Sequence, residues 1–162
     1  MLIRAWRVLT LLLVALLMGL AFAHVLERPA KMQYDGALYA TLQRTLYVQW
    51  GPPNVGGFLE PAAILATAVL AFLVRKRRPA FWLTLGAALA LLLAFPGVFF
   101  ALVAPANEAF RGAANAPVPS DWMDQRVRWE TGHAIRFALQ LLALALLTLS
   151  IAFETPDGEP KR

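Results

Sequence analysis

Five ionisable side chains lie where the sequence offers them little water. His24 and Glu27 close the apolar run 8–26, Glu60 opens the run 61–74, and His133 and Arg136 lead into the run 137–153. A charge inside a membrane is costly, faces inward or toward water, and pairs with another charge. The residue types suit two kinds of chemistry. A histidine has a near-neutral pKa and serves as a general base, while an arginine beside it stabilises an oxyanion. Alternatively, His24, Glu27, Glu60 and His133 make two imidazoles and two carboxylates, a ligand set that suits non-haem iron, zinc or copper. Two histidines on separate helices also permit a bis-histidine haem. Trp129, Trp50 and Tyr47 supply flat rings able to stack on an aromatic ligand.

The elements that must position these groups are membrane helices. Of the 162 residues 59% are hydrophobic and 15% charged, against ~45–50% apolar and ~25% charged in ordinary soluble domains. A soluble fold of this length could not bury so much apolar surface. Spans need roughly 20 mostly apolar residues, and the pattern predicts four, at about 7–27, 55–75, 79–104 and 133–153, in a single all-α domain covering 1–162. The run 61–74 is too short by itself, so its helix must begin earlier and carry Glu60 into the membrane with Pro61 in an early turn. Phe95-Pro96-Gly97 predicts a kink in the third span, and Gly86, Ala90 and Ala94 a small-residue stripe for close packing. Ala21-Phe22-Ala23 has the form of a signal-peptidase site, but the bundle can use the first apolar run as a retained span.

Two longer loops join the spans, each with a short interfacial helix. In 37–50, Leu38, Leu42 and Leu46 recur every four residues with Tyr39, Tyr47 and Trp50 nearby, which suits a helix lying at the membrane surface. Ser120 is placed to cap a helix that runs into the fourth span. Gly51-Pro52-Pro53-Asn54 and Ala116-Pro117-Val118-Pro119 read as turns.

Counted from the opposite helix ends, Glu60, His24, Arg136, Glu27 and His133 lie at heights of roughly 22 to 32 Å, since each residue rises ~1.5 Å. They form one polar layer, and Glu60 and Arg136, on antiparallel spans, are expected to pair. Arg126, Trp129, His133, Arg136 and Gln140 share a helix face by their spacing of three or four. Taken singly, the tryptophans and tyrosines read as an aromatic belt, Arg126 and Glu130 as a solvated pair, and Arg136 as a snorkelling side chain. Glu60 cannot easily snorkel, which favours reading the layer as a set.

The stretches Ala23-His24-Val25-Leu26-Glu27-Arg28-Pro29-Ala30-Lys31-Met32, Gln43-Arg44-Thr45-Leu46-Tyr47 with Trp50-Gly51-Pro52, Pro105-Ala106-Asn107, and Arg128-Trp129 followed by His133 and Arg136 carry a resemblance. The chain resembles the membrane family of domain of unknown function 1772, which includes the anthrone oxygenases, over most of its length. Similar proteins carry an asparagine after the third span, here Asn107, and a Trp…His…Arg set opening the fourth. Their Trp-Asn-His segment is Thr131-Gly132-His133 in this chain. The resemblance implies oxidation of a polycyclic aromatic carbon to a quinone by dioxygen.

The charge of +5 does not point to nucleic acid, because the basic residues flank apolar runs, where headgroups and orientation account for them. The absence of cysteine excludes disulfide-shuttling quinone reductases. Three readings remain. One is an oxidoreductase for a lipophilic aromatic or quinone-like substrate, with His133 as base, Arg136 and Glu60 beside it, and Trp129, Trp50, Asn107 and Tyr47 around the ligand, requiring no cofactor. The second adds a metal ion or haem, and the third is a non-catalytic membrane subunit or small-molecule-binding protein. A transport path would need several copies, since four spans enclose none alone. The partners expected are the bilayer and a lipophilic small molecule. Arg4, Arg7 and the block Arg75-Lys76-Arg77-Arg78 are free of acids, so both termini are expected in the cytoplasm of a multi-pass cell-membrane protein. A reporter fused after Arg162 should be active only inside the cell; external activity would reverse the orientation.

Overall fold

The computed structural model describes residues 1–51 and 54–154. The Pro52-Pro53 centre of one expected turn and the tail 155–162 lie outside the described residues. Every regular element is helical: α1 (Leu2–Lys31), α2 (Gly36–Thr45), a 3₁₀ turn (Tyr47–Gln49), α3 (Val55–Leu73), α4 (Ala80–Leu92), a wide-turned helical segment (Leu93–Val103), α5 (Ala104–Ala109) and α6 (Trp122–Ala152). Four helices are long and apolar enough to cross a membrane: α1, α3, the composite Ala80–Ala109, and α6. The chain is a multi-pass membrane protein with four spans. Helix α1 runs without a break through Ala21-Phe22-Ala23 and well past Glu27.

The four spans form a closed ring. α1 packs on α3 and α6, and the third span packs on α3 and α6, so α3 and α6 face each other across the diagonal. In the half of the bundle that holds the chain ends, the core is Val14, Leu17, Ala63, Leu70, Val74, Ala87, Ala90, Leu91, Ala143 and Leu147. Small residues let the backbones approach closely where lipid gives helices little hydrophobic reason to associate. The buried stripe on the third span is Ala87, Ala90 and Ala94, with Gly86 beside it against Leu146. The Trp6 indole nitrogen donates to the Ala66 carbonyl at 2.9 Å, fastening α1 to α3. At the end face, Glu154 accepts from Arg7 and, at 3.3 Å, from Arg77. Leucine, valine and phenylalanine side chains left exposed around the ring, such as Leu12, Phe58, Phe72 and Phe100, meet lipid.

The third span breaks where Phe95-Pro96 predicts. Phe95 is extended, with φ −147° and ψ 121°, as expected for a residue before proline. Beyond the break the segment Leu93–Val103 leans on α6. The approach is close at Gly132, where a Cβ would lie 2.8 Å from Val103 Cγ2 and 3.1 Å from Leu102 Cβ. Arg128 reaches across the same interface to the Ala101 carbonyl at 2.9 Å.

One local expectation is corrected. Ser120 does not cap the fourth span; α6 starts at Trp122 with Asp121 at the cap and no side-chain bond there. In α2, capped by Asp35 on the Leu38 N–H, Tyr39, Ala40 and Gln43 face in, Leu42 packs on the Tyr47–Trp129 cluster, and Leu38 and the following Leu46 are exposed. The reason is hydrogen bonding: the bilayer accepts bare leucine but offers no partner to a phenol or an amide. The second loop is held by Arg44, whose guanidinium donates to the carbonyls of Phe110, Ala116 and Pro117 at 3.0, 2.6 and 2.8 Å.

Close packing at Gly132 contrasts with open space at Gly19, where a Cβ meets nothing within 4 Å. Gly132→Val should destabilise the bundle by about 1–3 kcal/mol through overpacking, whereas Gly19→Ala should be neutral or stabilising. Unfolding in mixed micelles would measure both.

Candidate functional site

The polar layer assembles at the end of the bundle away from the start of α1 and the end of α6. Its deepest member is an ion pair across the diagonal: Arg136 Nη2 of α6 bonds Glu60 Oε1 of α3, and both side chains are buried. The short apolar run after Glu60 forces this depth, and the antiparallel spans bring the two to one height. The Arg136 guanidinium also lies over the Phe99 ring, 5.3 Å from its centroid.

Above the pair, His24 of α1 and His133 of α6 pack with ring centroids 4.1 Å apart and planes inclined at 46°. Trp129 is 4.1 Å from His133 and 4.8 Å from His24. Tyr47 and Trp50 both lie 5.1 Å from His24. Five rings from α1, the first loop and α6 therefore form one box. Trp129 is aimed by Asn107, whose Oδ1 accepts the indole N–H at 2.8 Å. Trp50 is fixed by its carbonyl, which accepts the Gly56 N–H at 2.8 Å. A Cβ at Gly56 would sit 2.4 Å from that oxygen, so only glycine permits the approach. The Nδ1 atoms of both histidines are buried without a hydrogen-bond partner.

That space is a cavity of about 680 Å³, bounded by α1, the first loop, the start of α3, the broken part of the third span and α6. His24, Glu60, Trp129, His133 and Arg136 line it, as do Tyr47, Trp50 and Asn107. The volume falls within the ~300–1,000 Å³ of small-molecule sites.

On the outer side of the box lies a second buried network. The Lys31 ammonium is enclosed, 3.1 Å from Glu130 and 3.6 Å from Glu27, and lies over the rings of Trp129 and Tyr47 at 4.7 and 4.9 Å. Tyr39 donates to Glu130 at 3.2 Å and Gln43 donates to Tyr39 at 3.0 Å. Tyr47 donates to Glu27 at 2.7 Å. Burial raises the pKa of Tyr39, with the Glu130 charge adding to it, and burial with the Glu27 hydrogen bond raises that of Tyr47. Both phenols stay protonated as donors. Arg126 is not half of a solvated pair with Glu130: it is buried, donates to the Tyr34 carbonyl at 2.9 Å, and lies over Trp122.

Of the residues singled out by sequence, His24, Glu60, Trp129, His133, Arg136, Trp50 and Tyr47 meet around the cavity, and Asn107 joins them through Trp129. Glu27 stands apart, 3.9 Å from His24 Nδ1 and turned toward Lys31 and Tyr47. The four-ligand metal set is not drawn together, because each carboxylate is claimed by a cation. Among the described residues no three His, Asp or Glu side chains converge as ligands. A bis-histidine haem does not fit either: imidazoles in van der Waals contact leave no gap for a porphyrin plane. Spacing alone missed Lys31, Glu130, Tyr39 and Gln43. The available signal was the 3–4 residue series His24, Glu27, Lys31 and the four-residue series Tyr39, Gln43, Tyr47.

Compared with family models, curated proteins and solved structures, the chain matches none.

Removing one partner of a buried pair leaves the other charge stranded. Arg136→Met or Glu60→Leu should each cost about 3–5 kcal/mol, and the double variant much less than the two together. A double-mutant cycle in micelles reads the coupling; additive losses would mean that the pair is energetically idle.

Proposed function

We propose that this chain is a membrane-embedded oxidoreductase that binds a flat, lipophilic aromatic or quinone-like molecule in the 680 Å³ cavity and oxidises it with dioxygen. The observation that carries the reading is the composition of the cavity wall: apolar and aromatic over most of its surface, with two histidines stationed above a buried ion pair. Few polar groups in an apolar cavity is the arrangement of a small-molecule site; a bundle held together only for structure would fill its centre. The resemblance to the anthrone oxygenases points the same way. Both termini are assigned to the cytoplasm, supported by Arg4, Arg7 and the Arg75-Lys76-Arg77-Arg78 block on the end face, which places the cavity in the outer leaflet.

In this reading the ligand ring lies in the cavity against the faces that Trp129 and Trp50 present to it. His133 takes a proton from an acidic ring CH₂, and the electron pair delocalises onto the ring carbonyl oxygen. Arg136 stabilises that oxyanion, with Glu60 fixing the guanidinium. The carbanion reduces dioxygen and forms a C–O bond; reprotonation gives a hydroperoxide, which loses water to leave a new carbonyl. Overall CH₂ and O₂ become C=O and H₂O, and the chain itself is neither oxidised nor reduced.

Anthrone is a suitable probe, with protein in nanodiscs and oxygen uptake followed together with anthraquinone formation. The wild type should exceed empty nanodiscs, and His133→Ala should lose about 10²–10⁴-fold, the usual weight of a general base. Turnover equal to that of wild type in His133→Ala would remove the proposed base.

A further inference from the structure

The cavity wall changes character with depth. His24, Gln43, Arg44, Asn107, Glu108 and Arg111 surround its outer part. Along α1, the lining continues from His24 to Ala21, Leu20 and Leu17, about 10 Å deeper at the helical rise. Across the cavity the broken third span contributes Phe95, Phe99 and Phe100, with Phe99 at the level of Arg136 and the Tyr47–Trp129 cluster. A ligand filling the space would therefore present polar atoms at the histidine level and hydrocarbon below it.

The cavity also has a side exit, at the level of Trp50. Below the break α3 packs tightly on α4, but beyond it Leu93–Val103 turns to α6 and has only sparse contact with α3. The start of α3 bordering the cavity is Gly56 and Gly57, which carry no side chains to close the gap. Flanking it, Val55, Phe58 and Phe100 are exposed apolar groups, and Gly57 lies about 27 Å from the basic block at the helical rise. That height is inside a hydrocarbon core of about 30 Å. The gap opens on lipid tails rather than on water.

We infer that the ligand is an amphiphile with one long apolar tail on a ring that is oxidised to a quinone, rather than a compact water-borne aromatic, and that it enters sideways from the bilayer between the start of α3 and the broken third span. Its ring lies in the cavity against the exposed side of the His24–Trp129–His133 cluster, and its tail leaves past Phe99 and Phe100. This rests on the aromatic-site reading above and adds the ligand class and the route. The break at Phe95 gains a purpose: a straight third span would lie along α3 and seal the gap.

The test uses the full chain in nanodiscs and a dimethoxy-methyl-benzoquinone with a decyl tail ending in a diazirine. After illumination, adducts are mapped by peptide mass spectrometry, with and without excess unlabelled decyl-quinone. The expected result is adducts at Phe58, Phe95, Phe99 or Phe100 that disappear under competition, since random labelling from lipid would persist. Competed adducts at Arg44, Glu108 or Arg111 instead would place the tail at the outer mouth; that outcome overturns the sideways route while leaving the aromatic-site reading intact. Absence of any competed adduct would overturn both.

Discussion

Glu60 begins the chain of constraints in this protein. The apolar run that follows it is too short to span a bilayer, so its carboxylate is drawn into hydrocarbon, where an unpaired charge is untenable. Only a cation at the same height can neutralise it, and that cation is Arg136 on the diagonally opposite helix. A diagonal pair fixes more than an adjacent one. It sets the heights of α3 and α6 together and keeps the bundle centre polar at that level. It also obliges α1 and the third span to close around a centre that apolar side chains do not fill. The histidine pair and the cavity are built on that level.

The outer network does for the loops what the ion pair does for the spans. Lys31 ends α1 and is covered by Glu130 of α6, Glu27 of its own helix, and the rings of Tyr47 and Trp129. A buried ammonium needs such a surround, and supplying it draws α2 and the 3₁₀ turn down over the bundle. Tyr47 and Trp50 are thereby brought against His24, although they come from a loop. The tighter fastenings, Gly56 under the Trp50 carbonyl and Arg44 on three carbonyls of the second loop, make that cover rigid enough to position rings to within a contact distance.

The break in the third span has the opposite effect, opening the structure. Helices in lipid pack because small residues let them approach, and α3 with α4 follows that rule. Past Phe95 the third span instead leans on Gly132, where α6 has no side chain. Space lost on the α6 side appears on the α3 side, next to Gly56 and Gly57. One proline and three glycines thus turn a sealed four-helix bundle into one with an internal cavity.

The amino-acid sequence by itself determined the four spans, the early start of α3, the kink, and the Glu60–Arg136 pair, because these follow from the length of hydrocarbon to be crossed and the cost of a charge within it. It also determined the depth of His24 and His133, by counting residues at a fixed rise. Depth along an axis is a one-dimensional quantity, and one sequence suffices to set it. Rotation about the axis and choice of partner are not. Only the tertiary structure decided that Glu27 serves Lys31 and Tyr47 rather than a metal, that Glu130 is buried rather than solvated, and that α2 turns Tyr39 and Gln43 inward and Leu38 outward. Each depended on which acceptor stood nearest once the helices had packed, a matter of angstroms across helices that no spacing along a single one records.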